Sequence, residues 1–431
     1  MSSIDTFENF KLAAPIMPSI GILHVAANLE KNDYKDIFVY DADLMNYSSN
    51  PVAVMEWLKN TKPDVIGITV YSNHVPKTKI TLEIIKEEFP NVPIIGGGPH
   101  CTIDYEKTFN ELALDYICIG EGEYTMVEFL DYLKGLRPVE SIKGIAFKKD
   151  GKIIFTGERP LEKNIDKFPF PAYHLIEQHI PMIRPQIMGY KRKPLLLLIS
   201  SRGCPYLCGF CSDHILWKRK FRAHSPEYLV TMIEHLIQKY GIREITFLDD
   251  SFLLDKKRVE KFCDLFIEKK ISIYWSVNIN LAHVSEDILI KMKKAGCWHV
   301  STGIESGNEE VLKFTRKPLT VDLARKNLNI LAKVGILCRG YFIIGLLKDT
   351  SKTIQDTIEF TLNNPLYLVH ICIYSIYPGA KWNEKNEDYG TVYNDNIYKI
   401  KGAHSGDVNA LSFVGKGLTS DYLIKKTIRG I

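Results

Sequence analysis

Ser200-Ser201-Arg202-Gly203-Cys204-Pro205-Tyr206-Leu207-Cys208-Gly209-Phe210-Cys211-Ser212 is the stretch on which the fold turns. Its three cysteines, spaced C-x3-C-x2-C, follow an apolar run at 194–199 with the length and boundaries of a buried strand. Thiolate is a soft ligand that selects iron–sulfur clusters or zinc, and three thiolates in one short loop can share a single metal centre. A four-iron cluster usually takes four cysteines; with three, one iron keeps an open position where chemistry can be done. Zinc is the competing reading, since His214 follows at a distance that would complete a closed, structural Cys3His site. Zinc motifs more often come as paired C-x2-C halves, so the spacing favours the cluster.

Downstream of this loop the chain repeats strand and helix about six times. Strands are predicted at 195–200, 244–248, 272–277, 298–303, 337–344 and 368–375. Helices begin near Ser225-Pro226, Asp255, Val284, Asn308, Thr320 and Ser351, several on a residue able to cap them. Six such units make a partial version of the (βα)8 barrel, which places active residues at the carboxyl ends of its strands. The cysteine loop follows the first strand and so sits at that mouth. Asp249-Asp250-Ser251, Asn278 and Asn280, Glu305-Ser306 and Gly345 end the next four strands. Carboxylates at consecutive strand ends suit a ligand with hydroxyls and an ammonium group. Helix capping is the plainer role for Asp250 and Ser306.

Upstream the pattern also alternates: helix 20–31, strand 36–40, helix 51–60, strand 64–70, helix 76–89, strand 92–95, strand 115–119 and helix 122–133. Strands and helices at this spacing predict a doubly wound parallel sheet, whose ligands lie beyond the carboxyl ends of the strands. Those ends carry Asp41-Ala42-Asp43, Tyr71-Ser72-Asn73-His74, Gly96-Gly97-Gly98 and Gly120-Glu121-Gly122-Glu123. Each glycine permits either close backbone approach to a ligand or simply a tight turn. Between the halves, 144–157 alternates apolar and polar residues around Asp150-Gly151, a two-residue hairpin signal. The expected division is 1–135, a connector at 136–193, the barrel at 194–385 and a tail at 386–431 with Tyr389, Tyr393, Tyr398 and a weak helix at 420–427.

Composition fits a large enzyme. At 431 residues, two domains are the prior expectation, and a net charge of +4 without a basic, aromatic-interleaved stripe excludes nucleic acid as the expected partner. No apolar run approaches the ~20 residues of a membrane span. Residues 1–10 carry two acids and no base, unlike a signal peptide. Six of the nine cysteines are scattered among apolar neighbours, as buried thiols in a reducing cytoplasm are.

Cys204, Cys208 and Cys211, with Phe210 before the last, resemble the signature loop of the radical S-adenosylmethionine (SAM) superfamily. The stretches 18–23, 39–42, 96–100 and 120–123 are similar to the cobalamin-binding domain that precedes many such barrels. The resemblance implies a Rossmann-like, cobalamin-binding sheet followed by a partial (βα)6 barrel. It implies three cofactors: a 4Fe-4S cluster on the three cysteines, SAM on its open iron, and cobalamin. Phe210, Asp249, Asn278, Glu305 and the backbone around Ile344 are the implied SAM contacts. The third-strand arginine common in these enzymes is replaced near Asn280, and Arg339 is the candidate partner for the SAM carboxylate. Asp41, Ser72, Asn73, Gly97, Gly98 and Glu121 are the implied cobalamin contacts. An axial Asp-x-His-x-x-Gly motif is absent, which leaves His24, His74 and His100 as candidate ligands, each more readily a surface or turn residue. Residues 2–12 are more polar than the domain's usual first strand.

The implied activity is methyl transfer to an unactivated carbon through a 5′-deoxyadenosyl radical and methylcobalamin. Cyclisation or rearrangement without methyl transfer is the alternative, and a non-catalytic cobalamin- or zinc-binding module is the alternative of another class. The implied partners are a small-molecule, lipid or peptide substrate and an electron donor such as flavodoxin or ferredoxin.

Overall fold

The computed structural model describes residues 15–42, 44–45, 51–185, 189–382, 390–392, 413–415 and 418. Asp43, the polar stretch 2–12, the tail tyrosines and the helix expected at 420–427 lie outside them.

The first sheet contains β1 (Ile66–Thr69), β2 (Ile94–Gly97), β3 (Tyr116–Cys118), β4 (Ile145–Lys149) and β5 (Lys152–Phe155), in that spatial order. β1 to β3 run parallel, and the hairpin β4–β5 adds to β3 antiparallel. The sheet is thus mixed, and it extends into the segment read from sequence as a connector. Alternate residues of its strands feed two cores, as a period of two requires. Ile94, Ile117 and Ala146 pack with helices Pro51–Thr61, Val75–Glu88 and Tyr105–Glu111. Ile95, Cys118, Ile145 and Phe147 pack with Phe129 of helix Gly122–Leu133. The strand expected at 36–40 does not form: Asp36 takes φ 57°, a left-handed conformation that breaks an extended run, and the segment is irregular.

The second sheet is the partial barrel. Its first strand is β6 (Leu195–Leu198); β7 (Ser201–Arg202) and β8 (Arg222–Ala223) form a small ribbon around the cysteine loop. β9 (Glu244–Phe247), β10 (Tyr274–Asn278), β11 (Cys297–Glu305), β12 (Leu337–Ile344) and β13 (Leu368–Ile373) then add in order, all parallel. Leu195, Leu196, Leu197 and Leu198 are wholly buried, because both faces of β6 are covered. Each such burial is worth ~1.5–3 kcal/mol. Helices Pro226–Tyr240, Lys256–Glu268, Glu286–Lys294, Val321–Val334 and Ser351–Leu362 cover the outside. Ser225, Asp255, Asn308, Thr320 and Thr350 cap their helices through side-chain oxygens, so the expected starts near Ser225, Asp255, Asn308, Thr320 and Ser351 hold. Ser306 instead accepts the Asn308 N–H at 3.1 Å, one step before the cap. No helix of the described residues is long and apolar enough to cross a membrane.

The two sheets meet mouth to mouth. Helix Pro99–Ile103, which follows β2, packs on helix Asp213–Trp217, which follows Cys211. Arg202 of β7 reaches Glu121 (2.6 Å) and Glu123 (2.5 Å) beyond β3, and Arg222 of β8 reaches Glu121 at 2.8 Å. All four side chains are 5–7% exposed.

Candidate active site

A cavity of about 390 Å³ opens at the barrel mouth, within the size range of small-molecule sites. Cys204, Cys208, Asp249, Asn278 and Glu305, five of the residues singled out in the sequence, line it. Cys211 closes the same loop, its N–H donating to the Cys208 carbonyl at 3.1 Å. Burial pushes the Cys204 thiol up to about 11 and the Cys211 thiol up to about 12, and the Cys208 thiol raises both further. Thiols of this kind become thiolates when a metal displaces the proton. Among the described residues no three His, Cys, Asp or Glu side chains converge on a point that a single ion could occupy. His214, the fourth ligand of the zinc reading, turns Nδ1 to the Cys211 carbonyl at 3.1 Å. Three soft sulfur donors in one loop fit an iron–sulfur cube with one iron left open.

Around this loop the side chains divide into those that build it and those that face the cavity. Asp249 belongs to the builders as well as to the lining: its oxygens accept the Ser200 N–H (2.7 Å), the Ser200 hydroxyl (2.6 Å) and the Ser201 hydroxyl, which fastens β9 to the start of the loop. Asp249 thus both lines the cavity and holds the loop in place. Asp250 accepts the Gly203 N–H at 3.1 Å and, like Ser251, lines the cavity. Asn278 donates to the Asp249 carbonyl at 3.2 Å. Phe210 faces away, packing edge-on against Trp382 with ring centroids 5.9 Å apart. Ile344 is buried off the cavity with its carbonyl taken by the Tyr374 N–H at 2.9 Å, so the expected adenine contact there is not formed by that oxygen.

Among the described residues, Lys317 lines the cavity and Arg339 does not. Lys317 Nζ lies 2.6 Å from Glu305 Oε1, and both side chains are buried. Burial opposes the ammonium charge, but Glu305 and the neighbouring thiols Cys208 and Cys204 outweigh it and raise the Lys317 pKa. Glu305 holds φ 71° at a register shift in β11, a strained conformation for a non-glycine residue of the kind kept at functional positions. A Cβ on Gly303 would strike the Glu305 carboxylate and crowd Lys317 Nζ at 2.7 Å, so glycine there makes room for the pair. An ammonium, carboxylates and amides around one cavity match the zwitterion and hydroxyls of SAM. Lys317→Met is expected to weaken SAM binding ~10–100-fold, the loss of one charge-assisted contact, as read by equilibrium dialysis with the reconstituted chain.

No motif marks Lys317, which sits in a plain Arg316-Lys317-Pro318 turn, or Trp382. Trp382 N–H donates to the Gly209 carbonyl (3.0 Å), and its indole fills the space a Cβ on Gly209 would need. Gly209→Ala is expected to displace the cysteine loop and lower iron incorporation, and Trp382→Ala in the same chain is expected to restore it in part, as measured by iron and sulfide content.

On the first sheet, the carboxyl ends are partly as expected. Ser72 Oγ lies 3.2 Å from His100 Nδ1, and Asn73 shares the 3-10 turn Ser72–His74. Asp41 accepts the Ser19 and Leu44 N–H groups, both at 3.1 Å, and orders its own loop. Gly98 (φ 90°) is required by packing, since a Cβ would strike Thr69 Oγ1 and press on Val70. Glu121 is paired with Arg202 and Arg222 through its two oxygens. Gly97 is half-buried, and nothing lies within 4 Å of where a Cβ on Gly120 would project. That open backbone at adjoining strand ends fits a broad, flat ligand such as a corrin. His24 and His100, expected at the surface or in turns, are buried, and burial lowers them to about 3 and about 4.

Together the open-cornered cluster loop at a six-strand barrel mouth and the abutting doubly wound sheet define a radical SAM enzyme with an added cofactor domain. Residues 198–361 match the radical SAM superfamily and residues 12–130 the B12 binding domain. An uncharacterized methyltransferase of Pyrococcus horikoshii is 30% identical over 365 residues, 84% of this chain and 77% of that one. The anaerobic magnesium-protoporphyrin IX monomethyl ester cyclase of Rubrivivax gelatinosus is 27% identical, over 89% of this chain and 69% of that one. Among solved structures, the cobalamin-dependent radical enzyme OxsB superposes with a TM-score of 0.75 at 19% identity, covering 95% of this chain and 63% of that one. The methyltransferase TsrM of Kitasatospora setae gives 0.74 at 16%, covering 97% and 87%. The chain belongs to the B12-binding radical SAM family, and its cofactors are a 4Fe-4S cluster, SAM and cobalamin.

Proposed function

We propose that this enzyme transfers a methyl group to an unactivated carbon of its substrate. The observation that carries the reading is the apposition of the two mouths: Arg202, two residues before the first cluster cysteine, is bonded to Glu121 and Glu123 at the carboxyl end of the B12-type sheet. A methyl carrier on one sheet and a radical source on the other then face a common space. When bound, the cofactors supply one-electron cleavage of SAM and a transferable methyl group. The chain's own part is to hold them. Cys204, Cys208 and Cys211 would ligate the cluster, and Lys317 and Glu305 would receive the carboxylate and ammonium of SAM. Asp249, through Ser200 and Ser201, fixes the loop that carries the cysteines. Trp382, packed by Phe314 and Tyr374, closes over Gly209 of the loop.

Cyclisation is the second reading, favoured by the likeness to the Rubrivivax cyclase over 89% of this chain. The domain limits 1–135, 194–385 and 386–431, a cytoplasmic location, a small-molecule, lipid or peptide substrate and a flavodoxin- or ferredoxin-type electron donor belong to the same proposal. Anaerobic turnover with a candidate substrate separates the readings: methyl transfer gives a product gain of one methyl group with S-adenosylhomocysteine, and cyclisation gives 5′-deoxyadenosine without it.

A further inference from the structure

Lys218, Arg219 and Lys220 put three consecutive cations beside the cysteine loop, all exposed and none lining the cavity. Their turn is built onto the loop. Arg219 Nε donates to the Pro205 carbonyl at 3.0 Å, one residue from Cys204. Gly203 lies under the turn, where a Cβ would strike the Lys220 carbonyl and the Trp217 side chain. Lys218 and Arg219 hold φ 52° and 60°, a left-handed pair that residues with side chains adopt only where their surroundings impose it. Lys256 and Lys257, also exposed, open the helix Lys256–Glu268. Lys256 acts through its charge on His283, whose Nε2 lies 2.6 Å from the Tyr206 hydroxyl. The two basic segments therefore flank Pro205, Tyr206 and Leu207, which are half-buried. Of the acids nearby, Glu158 is bound to Lys218 and Asp255 accepts the Arg258 N–H as a helix cap. Among the described residues no ion pair takes up Arg219, Lys220, Lys256 or Lys257.

We propose that this basic rim around Pro205 and Tyr206 is the surface on which an acidic electron carrier of the flavodoxin type docks to reduce the cluster. An apolar tip inside a ring of cations is complementary to an apolar flavin edge exposed inside a ring of acids. Cations left facing solvent attract such a partner over a distance and speed its encounter without holding it tightly. Once docked, the flavin faces a loop whose Pro205 peptide adjoins a cluster ligand and is bonded to the rim through Arg219. One electron then leaves the anionic flavin hydroquinone, which becomes the neutral semiquinone, and enters the cluster; no bond is made and no proton moves. The inference rests on the enzyme reading above and gives its electron donor a place on the chain.

The test titrates the anaerobically reconstituted full chain with oxidised flavodoxin by calorimetry at low ionic strength. Saturable binding is expected, weakening as chloride is added. Lys220→Glu with Lys256→Glu is expected to weaken it about tenfold or more, and to slow reduction of the cluster by flavodoxin hydroquinone, read from semiquinone absorbance, by a similar factor. Lys239→Glu with Lys294→Glu is the control for net charge. Those two lysines lie near the ends of helices that lead into β9 and β11, at the opposite end of the barrel, and their change is expected to shift binding less than about twofold. Circular dichroism and iron content screen each variant for folding, and Lys256→Glu alone carries the test if the double variant does not fold. No saturable binding by the wild-type chain, or equal weakening by the two pairs of substitutions, overturns the proposal. Binding of oxidised flavodoxin does not depend on turnover, and dithionite reduces the cluster without a docked carrier. SAM cleavage by the dithionite-reduced wild-type chain therefore tests the enzyme reading separately.

Discussion

Cys208→Ala enzyme, reconstituted anaerobically, is expected to lose its cluster and with it the reductive cleavage of SAM. Cys208 lines the cavity beside Cys204. The oxygens near the loop, on Asp213 and Asp250, are hard donors that an iron–sulfur cluster does not favour. His214 is turned to the Cys211 carbonyl. Outer-shell changes at metal sites typically cost ~10–100-fold, so loss of a direct ligand is expected to exceed ~100-fold in the rate of 5′-deoxyadenosine formation. Far-ultraviolet circular dichroism should be unchanged, because the loop stands outside both sheets. Iron and sulfide per chain, with the rate of SAM cleavage, check this; retention of both at the wild-type level would remove the three cysteines from the chemistry.

Arg202→Met is expected to produce the largest loss of stability of any single change at the join between the two sheets. Removing one partner of a buried ion pair costs about 3–5 kcal/mol, because the remaining charge stays out of water without compensation. Here the stranded groups are Glu123, 5% exposed in its side chain, and one oxygen of Glu121. The sign of the pH dependence distinguishes this from a simple packing loss. Burial pushes the Glu123 carboxyl up, but the charge and hydrogen bond of Arg202 outweigh it and hold the group below its ordinary range. A folded-state pKa below the unfolded value gives stability that is present above about pH 4.3 and lost as pH falls through the folded value. Wild-type stability should therefore be flat in this respect between pH 7 and pH 5. Without Arg202 the buried carboxyl rises above the unfolded value, so the variant should gain stability on acidification from pH 7 to pH 5. Urea unfolding at the two values measures the difference, and Glu123→Gln in the Arg202→Met chain should recover part of the loss.

Much of this architecture was legible because local signals and tertiary fold agree. The apolar run before Cys204, the cap residues Ser225, Asp255, Asn308 and Thr320, and the Asp150-Gly151 turn all act within a few residues and form the predicted elements. The strand expected at 36–40 failed because an apolar stretch does not reveal that Asp36 takes a left-handed φ. Site residues on strand ends were visible as positions, but not in their partners. The hydrogen bonds of Asp249 to Ser200 and Ser201, and the pairing of Glu121 with Arg202 and Arg222 across 81 and 101 residues of chain, are not visible in any local pattern. Lys317 and Trp382 were missed for the converse reason. Neither belongs to a motif, and each gains its role from a fold that brings it to Glu305 or Gly209. Arg339 was named for the SAM carboxylate because the resembled family's third-strand arginine is replaced near Asn280; in the structure it pairs in register with Ser301 on β11.

The most direct test of the central claim is electron paramagnetic resonance of the anaerobically reconstituted, dithionite-reduced wild-type chain, with iron and sulfide measured on the same sample. About four irons and four sulfides per chain are expected, with a reduced-cluster signal that shifts when SAM is added, as an open iron beside Lys317 and Glu305 requires. One zinc and no sulfide, or a full cluster whose spectrum is indifferent to SAM, would contradict the account.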